Sequence, residues 1–71
     1  MSNICSIIGD NIRRYRHKRG YTQEKLAIRA KVGEYYLGRV ELGKENISAK
    51  TLQKIATALE VETYQLLKPK K

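Results

Sequence analysis

TQEKLAIRAKVGEYYLGRVELGK, residues 22–44, decides how this chain folds. Thr22 stands at the entry of a helix, where its hydroxyl can accept from a free amide one turn on. Leu26, Ala27 and Ala30 then form a narrow apolar face, whose small alanines let another helix approach closely. Lys31 stands at a corner, and Gly33 is the expected N-cap of a second helix over about 34–42. That helix turns Leu37 and Val40 inward and closes at Gly43. Its outward positions are Glu34, Tyr35, Gly38 and Arg39. Two short helices thus meet at a tight corner.

The rest of the chain divides at breakers and caps. Ile4, Ile7, Ile8, Ile12 and Tyr15 recur at spacings of three and four, which predicts a helix over 4–18. Gly20 ends it in the left-handed conformation open to glycine. Ser48 caps a further helix with Leu52, Ile55, Ala56 and Leu59 as its apolar stripe. Thr63 is the expected cap of a last short helix carrying Leu66 and Leu67, stopped by Pro69. No segment alternates strictly, so no sheet is expected. The prediction is an all-α fold of five short helices in a single domain over 1–71, with a core over 4–67 and a basic tail over 68–71.

Composition narrows the functional classes. The 71 residues carry 15 Lys and Arg against 7 Asp and Glu, a formal charge of +8. That excess favours an anionic partner such as nucleic acid or an acidic membrane surface; an ordinary solvated surface is the alternative. No apolar run approaches the roughly 20 residues of a membrane span, and the start MSNICSIIGDN lacks the pattern of a secretory signal. The single Cys5 offers no internal disulfide and no thiolate metal site, so a reducing cytoplasm is expected. One histidine, one cysteine and scattered carboxylates supply no nucleophile–base pair and no metal cluster. His17 reads as a surface residue. No enzyme, metal or cofactor is expected.

A helix, a corner and a second helix in a small basic chain is the form of a helix-turn-helix, whose second helix lies in the DNA major groove. The chain resembles the Cro/phage-repressor-like (XRE) helix-turn-helix family. The matching residues are Ile8-Gly9, Ile12, Arg16, Thr22-Gln23, Leu26-Ala27, Val32, Leu37, Val40-Glu41, Gly43-Lys44, Leu52, Ile55-Ala56, Ala58-Leu59 and Val61. They span about 8–67, and the resemblance implies a compact lambda-repressor-like DNA-binding domain. Glu41-Leu-Gly-Lys-Glu-Asn-Ile-Ser48 is also similar to the ERGxRNIS stretch of the restriction-modification controller branch, and Tyr36-Leu37-Gly38 to its YIS.

The resemblance implies roles residue by residue. Thr22 and Gln23 would hold a phosphate beside the positive end of their helix, and Gln23 alternatively supports the cap. Arg16 and Glu41 would bridge the first helix to the end of the third. Glu34, Tyr35, Gly38 and Arg39 would face bases: Arg39 has two donors for guanine O6 and N7, and Glu34 can accept from cytosine N4. Glu34 alternatively orients Arg39. Tyr36 is expected to brace the helix. Lys44, Asn46, Ser48 and Lys50 would continue the phosphate contacts at the start of helix four. Arg13 and Arg14 read as solvated helix surface.

Three departures stand out. Lys31 occupies a corner that usually carries glycine, at a cost on the order of 1 kcal/mol if left-handed. Gly38 lies inside a helix, at roughly 1 kcal/mol relative to alanine. Leu42 and Glu45 stand where the controller branch has arginine. The family also implies a homodimer on two DNA half-sites, with Val61, Thr63, Tyr64, Gln65 and Leu67 as dimer candidates. Tyr64 is either an aromatic anchor or a cover over the core. No ligand-sensing domain is expected in a chain of this length. The expected function is a sequence-specific transcriptional regulator; the alternative is a protein-interaction module, such as an antitoxin that neutralises a partner.

Overall fold

The computed structural model describes residues 3–69. Four α-helices, α1 (Ile4–Arg19), α2 (Gln23–Ala30), α3 (Glu34–Glu41) and α4 (Ala49–Leu59), are followed by a 3-10 helix, Thr63–Leu66. No strand occurs among the described residues. The predicted fifth α-helix is therefore a single 3-10 turn. Its bonds run from Gln65 N to Glu62 O and from Leu67 N to Tyr64 O, each at 3.0 Å and each spanning three residues. Pro69 follows too closely for another turn to form. Thr63 is its first residue, and the cap is Glu62, whose side chain and that of Gln65 close a reciprocal capping box. Of the expected basic tail, Lys70 and Lys71 lie outside the described residues.

Local side chains explain three of the four α-helix starts; Gly33 caps α3 with backbone alone. Asn3 Oδ1 accepts from Cys5 N at 2.7 Å, Thr22 Oγ1 from Lys25 N at 3.0 Å, and Ser48 Oγ from Thr51 N at 3.1 Å. The stops are alike as well. Gly20, Lys31, Gly43 and Glu60 all have positive φ, from 60° to 76°. After α2, Val32 N reaches Ala27 O at 3.0 Å and Lys31 N reaches Ile28 O at 3.2 Å, a Schellman motif. Lys31 does adopt the left-handed conformation, so the corner keeps its shape despite the side chain.

The apolar stripes meet in one core of Ile8, Ile12, Leu26, Leu37, Val40, Leu52, Ile55, Leu59 and Leu66. Asn11 is fully buried among them. Its Nδ2 donates to Leu66 O at 2.9 Å and to Lys68 O at 2.7 Å, and its Oδ1 accepts from Arg14 Nη2 at 2.6 Å. Asn11 thus ties the C-terminal turn to α1 from within the core. Arg14 is consequently not ordinary solvated surface: it is half-buried and lies 5.0 Å over the Tyr15 ring. Asn11→Ala leaves these groups without their partner and should cost about 2–3 kcal/mol. A lower urea midpoint with an unchanged slope checks it; an unchanged midpoint contradicts it.

Candidate nucleic-acid interface

The α2–corner–α3 unit presents α3 with Leu37, Val40 and Glu41 buried and its opposite face open. Tyr35 is 80% exposed and Leu42, just past the helix, 63%. Glu34 is exposed, and Gly38 and Arg39 are half-exposed. A depression of about 560 Å³ brings together Arg13, Arg16, Gln23, Glu34, Tyr35, Gly38, Arg39, Glu41 and Leu42. The four predicted base-facing residues thus share one surface with Gln23. A larger depression of about 650 Å³, between α2 and α4 around Ile28, contains no residue of α3.

Arg16 and Glu41 form the predicted bridge, and it is buried: their side chains are 11% and 2% exposed. Arg16 Nε and Nη2 donate to the two Glu41 oxygens at 2.7 and 3.0 Å, and Nη1 donates to Tyr21 O at 3.0 Å. Gln23 Nε2 adds a donor to Glu41 Oε1 at 3.1 Å. Gln23 is therefore oriented by this pair rather than by the cap beside Thr22. An amide nitrogen carries two hydrogens, so the second can still reach a phosphate. Gly38 borders this arrangement without being required by it: a Cβ there would lie 3.7 Å from Gln23 Oε1, an ordinary contact.

Glu34 does not orient Arg39; Glu45 does. Arg39 Nε donates to Glu45 Oε2 at 2.7 Å, and Arg39 Nη2 donates to Lys44 O at 3.3 Å. The Glu45 carboxylate, followed by Tyr35, raises the Arg39 pKa above its ordinary value, which keeps the guanidinium charged. Tyr36 is half-buried against the core, as expected of a brace. Burial first, and then the Glu45 charge, push its phenol above its ordinary value.

The second row of expected phosphate contacts is partly committed within the protein. Ser48 Oγ caps α4 and donates to Thr51 Oγ1 at 3.0 Å, so only backbone amides at that helix start remain to meet an anion. Asn46 Oδ1 accepts from Cys5 Sγ at 3.4 Å. Lys44 and Lys50 are exposed. Sequence reasoning missed Leu42, Arg13 and Glu45 on this surface. Arg13, taken for solvated surface, lines the depression and pairs with Asp10 at 2.8 Å. Among the dimer candidates, Tyr64 is 60% and Leu67 40% exposed, so Tyr64 does not cover the core. Val61 packs against it, and Gln65 Nε2 donates to Tyr15 Oη at 3.3 Å.

The helix-turn-helix family profile matches residues 12–66. The chain belongs to that family. A Neisseria meningitidis protein described as a hypothetical transcription factor is 36% identical over 67 residues; the match covers 94% of this chain and 63% of that protein, so the chain spans under two thirds of this relative. The crystal structure of the restriction-modification controller protein C.AhdI from Aeromonas hydrophila is 35% identical, with a TM-score of 0.85, covering 87% of this chain and 94% of that one. The crystal structure of SinR, a master regulator for biofilm formation, in complex with DNA is 35% identical with a TM-score of 0.82, covering 86% of this chain and 98% of that one. Among the described residues of this regulator, no helix is long and apolar enough to cross a membrane.

Proposed function

We propose that this regulator binds double-stranded DNA sequence-specifically, as a symmetric dimer on two half-sites, with α3 in the major groove. The observation that carries this reading is the single open face shared by Gln23 and the outward residues of α3. Thr22 and Gln23 hold a phosphate at the start of α2, whose amides and dipole face the same anion. Lys44, Asn46 and Lys50, with the first amides of α4, hold another. Arg39 bonds guanine, Tyr35 packs against a thymine methyl, and Glu34 accepts from cytosine or rejects other bases. The SinR relative, solved with DNA, supports this use of the fold. Tyr64 and Leu67 supply exposed apolar area for a partner subunit.

Selection from random duplexes, followed by footprinting, tests the proposal. Arg39→Ala should lose about 1–3 kcal/mol of discrimination at one position, whereas Gln23→Ala should weaken all sites alike and, because the amide is uncharged, leave the salt slope unchanged. A footprint covering two half-sites one helical turn apart supports the dimer. No binding to any duplex at low salt ends the proposal.

A further inference from the structure

We propose that Glu45 is a specificity-determining positioning residue: it holds Arg39 so that only one edge of the guanidinium is left to meet a base. The inference rests on Arg39 being a base reader, as proposed above.

The geometry is specific. A guanidinium offers two edges that can make paired hydrogen bonds. The lateral edge, Nε with Nη2, is occupied by Glu45 Oε2 at 2.7 Å and Lys44 O at 3.3 Å. Among the described residues, the terminal edge, Nη1 with the second hydrogen of Nη2, makes no bond to Glu45 or Lys44; the exposed Tyr35 hydroxyl is the other polar group beside the guanidinium. That edge has two parallel donors, the pattern that fits guanine O6 and N7. Both partners lie just past α3, in a segment whose turn is set by Gly43 at φ 76°. Gly43 N reaches Val40 O and Lys44 N reaches Arg39 O, each at 3.0 Å. The restraint on Arg39 is therefore anchored to the helix stop rather than to a floppy surface chain.

Two physical effects follow. An arginine already held in one orientation loses less side-chain freedom on binding its base. A carboxylate beside the guanidinium also opposes a move of Arg39 onto a nearby phosphate, since the pair would have to separate and leave Glu45 facing the DNA backbone. Glu45 thus lowers affinity for unmatched DNA while sharpening the choice at one base pair. A positive residue here would add general affinity; this chain places a negative one.

The test measures binding of the full chain to the selected duplex and to the three duplexes altered at the Arg39 position, at two salt concentrations. Wild type should favour guanine by roughly ten-fold or more. Glu45→Ala should reduce that preference to about two-fold, leave preferences at other positions unchanged, and strengthen binding to unmatched duplex. Glu45→Gln, which keeps an acceptor for Arg39 Nε, should retain an intermediate preference. In an Arg39→Ala background, Glu45→Ala should alter no base preference. If Glu45→Ala strengthens all four duplexes by one common factor and leaves the guanine preference intact, Glu45 acts only as a charge and the inference falls while the DNA-reading proposal stands. If Arg39→Ala changes preference at no position, the reader assignment itself falls, and this inference with it.

Discussion

Glu41→Ala is expected to lower the unfolding free energy by about 3–5 kcal/mol, because it leaves the Arg16 guanidinium buried without its counter-charge. Arg16 and Glu41 are joined by two bonds and are largely shielded from water, so solvent cannot replace the lost carboxylate. A domain of this size has roughly 5–15 kcal/mol in total, and the variant should be partly unfolded near physiological temperature. Replacing both partners has a different outcome. Arg16→Met with Glu41→Leu removes both buried charges and should recover most of the loss, less about 1 kcal/mol for the Tyr21 carbonyl that Arg16 satisfied. DNA binding should not recover with it, because Gln23 then has no Glu41 oxygen to orient it. Urea unfolding followed by circular dichroism, set beside duplex binding, separates the two effects. A single variant that loses less than about 1 kcal/mol would show the pair to be hydrated rather than buried.

Gly9→Ala should also destabilise the domain, by about 2 kcal/mol net and by a different route. A Cβ at position 9 would lie 2.5 Å from Val40 O and 2.7 Å from Glu41 O. Both obstacles are backbone, so no rotamer change relieves the clash, and α1 must separate from the end of α3. Overpacking of this kind typically costs about 1–3 kcal/mol, and the upper end is expected where only backbone can yield. The better helix propensity of alanine returns about 1 kcal/mol of that. Gly38→Ala is the internal comparison. Its nearest neighbour would be Gln23 Oε1 at 3.7 Å, so the propensity gain should stand and the domain should become more stable by about 1 kcal/mol. Thermal melts of the two variants should therefore shift in opposite directions. A Gly9→Ala melt at or above wild type would contradict the close approach of the two helices.

What could be anticipated from the sequence was decided locally. Thr22, Gly33 and Ser48 were placed correctly because a cap depends on its own side chain or backbone and the amides just ahead. Thr63 misled for the same reason: a threonine before a short apolar pair resembles a cap, while the Glu62–Gln65 box one residue earlier does the work. Asn11 was invisible as a core residue because the carbonyls that satisfy its Nδ2 lie 55 and 57 residues away. The Arg16–Glu41 bridge, 25 residues apart, was legible only through the family resemblance. Arg39–Glu45 crosses a helix stop into irregular chain, where no periodicity says which carboxylate the guanidinium meets. Glu34 was the nearer guess by helix position and the wrong one.

The division of labour within α3 has a consequence for redesign. Its inner residues, Leu37, Val40 and Glu41, are buried, while Glu34, Tyr35 and Leu42 project into solvent. Rewriting the outer set leaves the core contacts of the domain intact, so the proposed reading surface behaves as an interchangeable cassette on a fixed mount. Swapped readers would keep the mount's stability and its phosphate grip. A library over positions 34, 35, 39, 42 and 45, with 39 and 45 varied as a pair, should therefore change target preference while most of its members still fold.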